Sequence, residues 1–127
     1  MKTVISTTEA PAAVGPYSQA IAAGPFVFCS GQIPLEPETG KLITGDISNQ
    51  TKRVLENIAA VLHAGGLGME HVVKTTVFLT DLANFGEMNE VYAGYFPNDA
   101  PARSTIQVAA LPKGANVEIE AIALKPS

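Results

Sequence analysis

The sequence predicts an α/β (α+β) fold: a single mixed sheet of about six strands with two helices on one face. Three observations carry that expectation. The first is the order of hydrophobic periodicities, β, β, α, β, α, β, β, with a further β-prone run at the N-terminus. The second is composition: 127 residues, 46% hydrophobic and 16% charged, can bury one core and do not resemble a disordered chain. The third is continuity. No linker, low-complexity segment or internal repeat divides the chain, so residues 1–127 are read as one domain.

Each element follows from its residues. Thr3-Val4-Ile5-Ser6-Thr7 is the short β-prone run. Ala10-Pro11-Ala12-Ala13-Val14-Gly15-Pro16-Tyr17 follows, and its prolines and glycine exclude regular structure. Ser18 to Ala22 is a strand stopped by Gly24-Pro25. Phe26-Val27-Phe28-Cys29-Ser30 is rich in aromatic and β-branched residues and reads as a strand, ended by Gly31-Gln32-Ile33-Pro34. A loop runs to Gly45. Asp46 is the N-cap of the first helix, with Ile47, Thr51, Val54, Ile58, Val61 and Leu62 on one face. Gln50, Lys52, Arg53, Glu56 and Asn57 are expected to cover the other face, and Gly65-Gly66 stops the helix. Val72 to Leu79 is a strand. Asp81 caps the next helix, whose apolar side is Phe85, Met88, Val91, Tyr92 and Tyr95. Arg103 to Val108 and Val117 to Leu124 are the last strands, and local spacing alone draws them as a terminal hairpin.

Strand parity shows what the helix-free face would carry. Val117, Ile119, Ala121 and Ala123 are small and apolar and suit helix packing. The opposite face then holds Glu118, Glu120, Ile122 and Leu124, and the same reasoning places Arg103, Thr105 and Gln107 beside them. A face that mixes charges with core-type apolar groups calls for a partner. A homo-oligomer with polar sites where subunits meet is the expectation.

Composition removes several function classes. The formal net charge is −4 and no basic run is present, which argues against a nucleic-acid surface. One cysteine and two histidines supply neither a disulfide nor an all-protein metal cage. No apolar stretch approaches a membrane span, and the first ten residues lack the run of a signal peptide. With a free thiol, this reads as a cytoplasmic chain.

Few residues are left to carry chemistry. Arg103, in Pro101-Ala102-Arg103-Ser104, can hold a carboxylate through two parallel hydrogen bonds, or form an ordinary surface ion pair. Glu118 and Glu120 stand among apolar residues, where a carboxylate needs a partner or a raised pKa. Parity does not choose between them. Tyr17 follows a rigid Gly-Pro turn and can present its hydroxyl to a ligand or plug a core edge. Ser30-Gly31 ends a strand with a backbone N–H open to an anion, or simply turns the chain. Cys29 alternates with Phe26 and Phe28 and reads as a small core residue. His63 and His71 belong to no catalytic or metal-binding spacing, and Gly65-Gly66-Leu67-Gly68 follows a helix where a phosphate loop would open one.

Five blocks, in order and spread along nearly the whole chain, resemble the YjgF/RidA (Rid) family of imine deaminases. They are Ala10 to Gln19 (APAAVGPYSQ), Ser30 to Pro34 (SGQIP), Val73 to Phe78 (VKTTVF), Pro101 to Ser104 (PARS) and Val117 to Ala123 (VEIEAIA). The resemblance implies a chorismate-mutase-like six-stranded sheet with the last strand inserted in its middle. It also implies a homotrimer whose sheets line a central barrel, with sites in the clefts between subunits.

The implied reaction is cofactor-free. Enamine and imine intermediates such as 2-aminoacrylate and 2-iminobutanoate, released by pyridoxal-phosphate (PLP)-dependent serine and threonine dehydratases, are hydrolysed to 2-keto acids and ammonia. Arg103 matches the family's carboxylate anchor. Glu118 matches the glutamate that orients or activates water, which selects it over Glu120. Tyr17 matches a tyrosine that closes the pocket, and Ser30 and Gly31 match the neighbouring subunit's contribution. Thr105 stands where many members have cysteine; it keeps the backbone N–H and removes thiol chemistry. Two other roles compete with this reading. One is non-catalytic binding of 2-keto acids; the other is ribonuclease or translation-inhibitor activity, which the acidic composition opposes.

Overall fold

A computed structural model describes residues 1–127. Strands β1 (Lys2–Ile5), β2 (Ala20–Ala23), β3 (Phe26–Gln32), β4 (Val72–Leu79), β5 (Ala102–Gln107) and β6 (Val117–Leu124) form one sheet in the order β1-β2-β3-β6-β4-β5. Helix α1 (Ile47–Ala64) lies between β3 and β4 in the chain, and α2 (Phe85–Tyr95) between β4 and β5. Every neighbouring pair is antiparallel except β4 and β5, which run parallel. A parallel pair cannot be closed by a tight turn, and α2 is its crossover.

The last strand sits in the centre, between β3 and β4, as the resemblance implied; β5 and β6 do not form a hairpin. The reason lies in side-chain character. Val117, Ile119 and Ala123 are fully buried and Ala121 nearly so, as befits an interior strand. The polar ARSTIQ run of β5 tolerates a sheet edge.

Asp46 caps α1 as its position predicts: its Oδ1 accepts the Asn49 N–H at 2.9 Å. The expected polar face of α1 needs correction. Gln50 and Asn57 are buried, because the loop after β3 folds over them. Asn57 Nδ2 donates to Leu35 O at 3.0 Å, and its Oδ1 accepts from Arg53 Nε at 3.2 Å. The buried Asn57 amide is thus satisfied by a loop carbonyl and a guanidinium, whereas Gln50 donates Nε2 to Gly45 O at 3.1 Å and leaves its Oε1 without a partner. Asp81 caps a single 3-10 turn over Leu82–Asn84, accepting the Ala83 N–H at 2.9 Å, and α2 begins only at Phe85.

Both helices cover one face of the sheet. Val27, Cys29, Thr75, Val77, Ile119 and Ala121 point toward them and join the core. On the open face, Val4, Ile21, Phe28, Ile122 and Lys74 form one cross-strand row. Phe78 stands between Glu118 and Ile106 in another. The predicted companions of Glu118 are thus partly wrong. Thr75 pairs with Arg103 and Val77 with Thr105, so Arg103 and Thr105 share the helix side with those buried residues. Gln107 does too: its Oε1 accepts the Leu82 N–H at 2.9 Å. Parity within β5 was right; register with β4 reverses which set faces the helices.

Candidate active site

The predicted residues fall into two groups. The first is built around a β-bulge. Cys29 pairs with Ala121 and Gln32 with Ile119, so Ser30 and Gly31 together oppose Glu120. The extra residue turns this stretch out of the ladder. Glu118 lies against it. A Cβ on Gly31 would overlap Glu118 Oε2 and lie 2.9 Å from its Cδ, so any larger residue would push the carboxyl group out of this position. Half-burial holds the Glu118 pKa above the ordinary carboxylate value, and the nearby Glu120 charge adds to the effect. Glu120 itself is exposed.

The loop that carries Tyr17 is tied to the same bulge. Ser30 Oγ donates to Ser18 O at 2.6 Å, and Ser30 N–H donates to Gln19 O at 2.9 Å. The hydroxyl of Ser30 therefore holds the protein's own backbone. Gln19 is buried and fixes the rest of the loop: its Oε1 accepts the Thr7 N–H at 2.7 Å, and its Nε2 donates to Pro11 O at 2.7 Å. Gly15, at φ +126°, makes the turn that leaves the Tyr17 ring 53% exposed. Ser30, Gly31 and Glu118 thus form one contiguous corner, to which the loop carrying Tyr17 is tied through Ser18 and Gln19.

The second group is Arg103 with Thr105 on β5. The Arg103 guanidinium carbon lies 4.7 Å from the centroid of Tyr92 and 5.5 Å from that of Phe85, both from α2. The Tyr92 hydroxyl shares a 2.6 Å hydrogen bond with Thr75 Oγ1 on β4. Thr105 Oγ1 is buried without a hydrogen-bond partner. A stacked guanidinium with an unsatisfied hydroxyl two residues away is equipped to receive a small anion.

A single chain does not bring the two groups to one point. Glu118 is on the open face and Arg103 on the helix face, with β4 between their strands. A depression of about 250 Å³ on the open face, lined by Phe28, Lys74, Thr76, Glu120 and Ile122, holds neither. No group of three or more His, Cys, Asp or Glu side chains gathers to hold a metal ion. Cys29 is buried and its thiol is pushed up to about 12 by burial, so it carries no nucleophile. Sequence reasoning missed the aromatic support of Arg103 and the loop-fixing role of Gln19. The spacing of Phe85 and Tyr92, two helical turns apart, was visible, but their target was not.

Comparison with known proteins places the whole chain among solved and curated relatives. The family model described as Endoribonuclease L-PSP matches residues 7–125. The 2-iminobutanoate/2-iminopropanoate deaminase of Mus musculus is 49% identical over 98% of this chain and 93% of its own. The chloroplastic Reactive Intermediate Deaminase A of Arabidopsis thaliana is 56% identical over 96% of this chain and 65% of its own. The crystal structure of E. coli TdcF with bound serine superposes with a TM-score of 0.93 at 45% identity, covering 98% of this chain and 99% of that one. The chain belongs to the Endoribonuclease L-PSP family, that of the YjgF/RidA proteins.

Proposed function

We propose that this protein is an enzyme that hydrolyses reactive 2-imino acids and their enamine tautomers to 2-keto acids and ammonia. The observation that carries the reading is identity of 46–56%, over 96–98% of this chain, to relatives named as 2-iminobutanoate/2-iminopropanoate deaminases or as a reactive intermediate deaminase. The placement of the two half-sites supports it. Arg103 holds the substrate carboxylate through its in-plane N–H groups. Glu118 takes a proton from water as the oxygen attacks the imine carbon and passes it to the nitrogen, giving a carbinolamine; it then moves the carbinolamine hydroxyl proton to that nitrogen as the carbon–nitrogen bond breaks, leaving the keto group and ammonia. One water is consumed and one ammonia released. A carboxyl group whose pKa is raised by burial is suited to both transfers. Gly31 lets that carboxyl sit against the strand, and Tyr17 covers the pocket. Thr105 contributes its backbone N–H and its free hydroxyl.

The split between faces supports a homotrimer in which Arg103 of one subunit meets the Glu118 corner of the next. The apolar row of the open face would line the barrel formed by the three sheets. The substrates hydrolyse and tautomerise readily, so the enzyme works beside PLP-dependent serine and threonine dehydratases that release them. We place it in the cytoplasm on its free thiol; no helix is long and apolar enough to cross a membrane.

The test couples a threonine dehydratase to the purified protein and traps surviving imine with semicarbazide. Wild type should suppress the semicarbazone. Arg103→Ala should lose about 10²-fold or more in kcat/KM, the scale of a lost charge-assisted anchor plus misorientation. Wild type without effect at stoichiometric concentration, but binding 2-ketobutyrate, would make the protein a carboxylate-binding regulator instead.

A further inference from the structure

We infer that Phe85 and Tyr92 form an aromatic clamp that sets the orientation of Arg103, with the Thr75 hydroxyl fixing the inner ring, so that Tyr92 is a positioning residue for the carboxylate anchor. The inference rests on the reading of Arg103 given above.

An arginine on an edge strand has many rotamers, and a bidentate grip on a carboxylate uses only one orientation of its plane. Here two rings of α2 approach the guanidinium. Tyr92 lies 4.7 Å from the guanidinium carbon and Phe85 5.5 Å. Cation–π contact restricts where the guanidinium can sit without using its N–H groups as hydrogen-bond donors, so they remain to bind a carboxylate.

The inner ring is itself locked. Tyr92 is 6% exposed, and its ring packs on Phe96 at a centroid distance of 4.7 Å and an interplanar angle of 44°. Its hydroxyl meets Thr75 Oγ1 at 2.6 Å. Thr75 is the register partner of Arg103 on the adjacent strand. The residue beside Arg103 in the sheet therefore fixes the ring beneath its side chain. Phe85 is 40% exposed and closes the clamp from the solvent side at the first residue of α2.

The experiment measures calorimetric binding of 2-ketobutyrate to the full-length protein, with KM and kcat from the coupled imine assay. Tyr92→Leu should bind about tenfold more weakly and raise KM while leaving kcat within about twofold, consistent with the loss of one desolvated cation–π contact. Tyr92→Phe keeps the ring and should restore affinity to within about threefold of wild type. Phe85→Leu, at an exposed position that does not threaten folding, should weaken binding about threefold. Val27→Ala is the control for a merely structural role: Val27 is fully buried on β3, with β6 and β4 between it and β5, so its loss should lower Tm without changing affinity.

Wild-type affinity in both Tyr92→Leu and Phe85→Leu, with binding lost in Arg103→Ala, would overturn the clamp. Should Tyr92→Leu fail to fold, wild-type affinity in Phe85→Leu would do so by itself. Wild-type affinity in Arg103→Ala would overturn the underlying reading instead.

Discussion

The bulge corner and the β5 edge put opposite charges to work by opposite means. At the bulge, a carboxyl group is withdrawn from water and set near a second carboxylate, so its neutral form is favoured. At the β5 edge, a guanidinium lies against two aromatic rings of α2. The first environment tunes a proton affinity; the second tunes an orientation. Each suits its proposed task, since a base must exchange a proton and an anchor must not. They occupy opposite faces of one sheet, which makes the two tasks separable between chains.

That separation can be broken by experiment. If the halves meet between subunits, co-assembled Arg103→Ala and Glu118→Gln chains should recover about a quarter of wild-type activity from two nearly inactive parents, since random pairing puts both intact residues in about one site in four. Recovery of none would place both groups in one chain. Glu118→Gln alone should lower kcat about 10²-fold with little change in KM, measured in the coupled imine assay, as removal of a general base does. An equal rise in KM would make Glu118 part of the anchor. Gly31→Ala sharpens the contrast: its methyl group displaces the Glu118 carboxyl, so kcat should fall about tenfold while 2-ketobutyrate still binds.

The smallest effect is on stability. The folded chain holds Glu118 above its ordinary value of 4.5, so its contribution is complete below that value and is lost as pH rises through the raised one. Glu118→Gln should therefore raise Tm at pH 7.5 by about 1–3 °C, and the gain should vanish near pH 4. Calorimetric scans at the two pH values check it.

The pattern of strands and helices was legible because each carries its own period. Ile47, Val54, Ile58 and Val61 announce a helix without reference to anything distant, and all four are buried. What could not be read locally was relation. Alternation alone puts Arg103 on the wrong face because its facing is set by pairing with Thr75, 28 positions away and on a different element. Asn57 was assigned to water because its partners lie in the preceding loop. Alternation within Val117–Leu124 was correct but left Glu118 and Glu120 equivalent; a bulge in β3 makes them different. Family likeness pointed to Glu118, and the space left by Gly31 supplies a physical reason for it.

The central place of β6 also governs how the chain reaches its native state. β3 and β4 never touch as neighbours; each pairs only with β6 on that side. Until residues 117–124 have left the ribosome, the nascent polypeptide holds two unjoined half-sheets with apolar strand edges. Acquisition of structure is therefore deferred until β6 is made and proceeds as one cooperative event with many distant pairings. A product cut short before Val117 has no stable partial form to fall back on and would be open to chaperones and proteases.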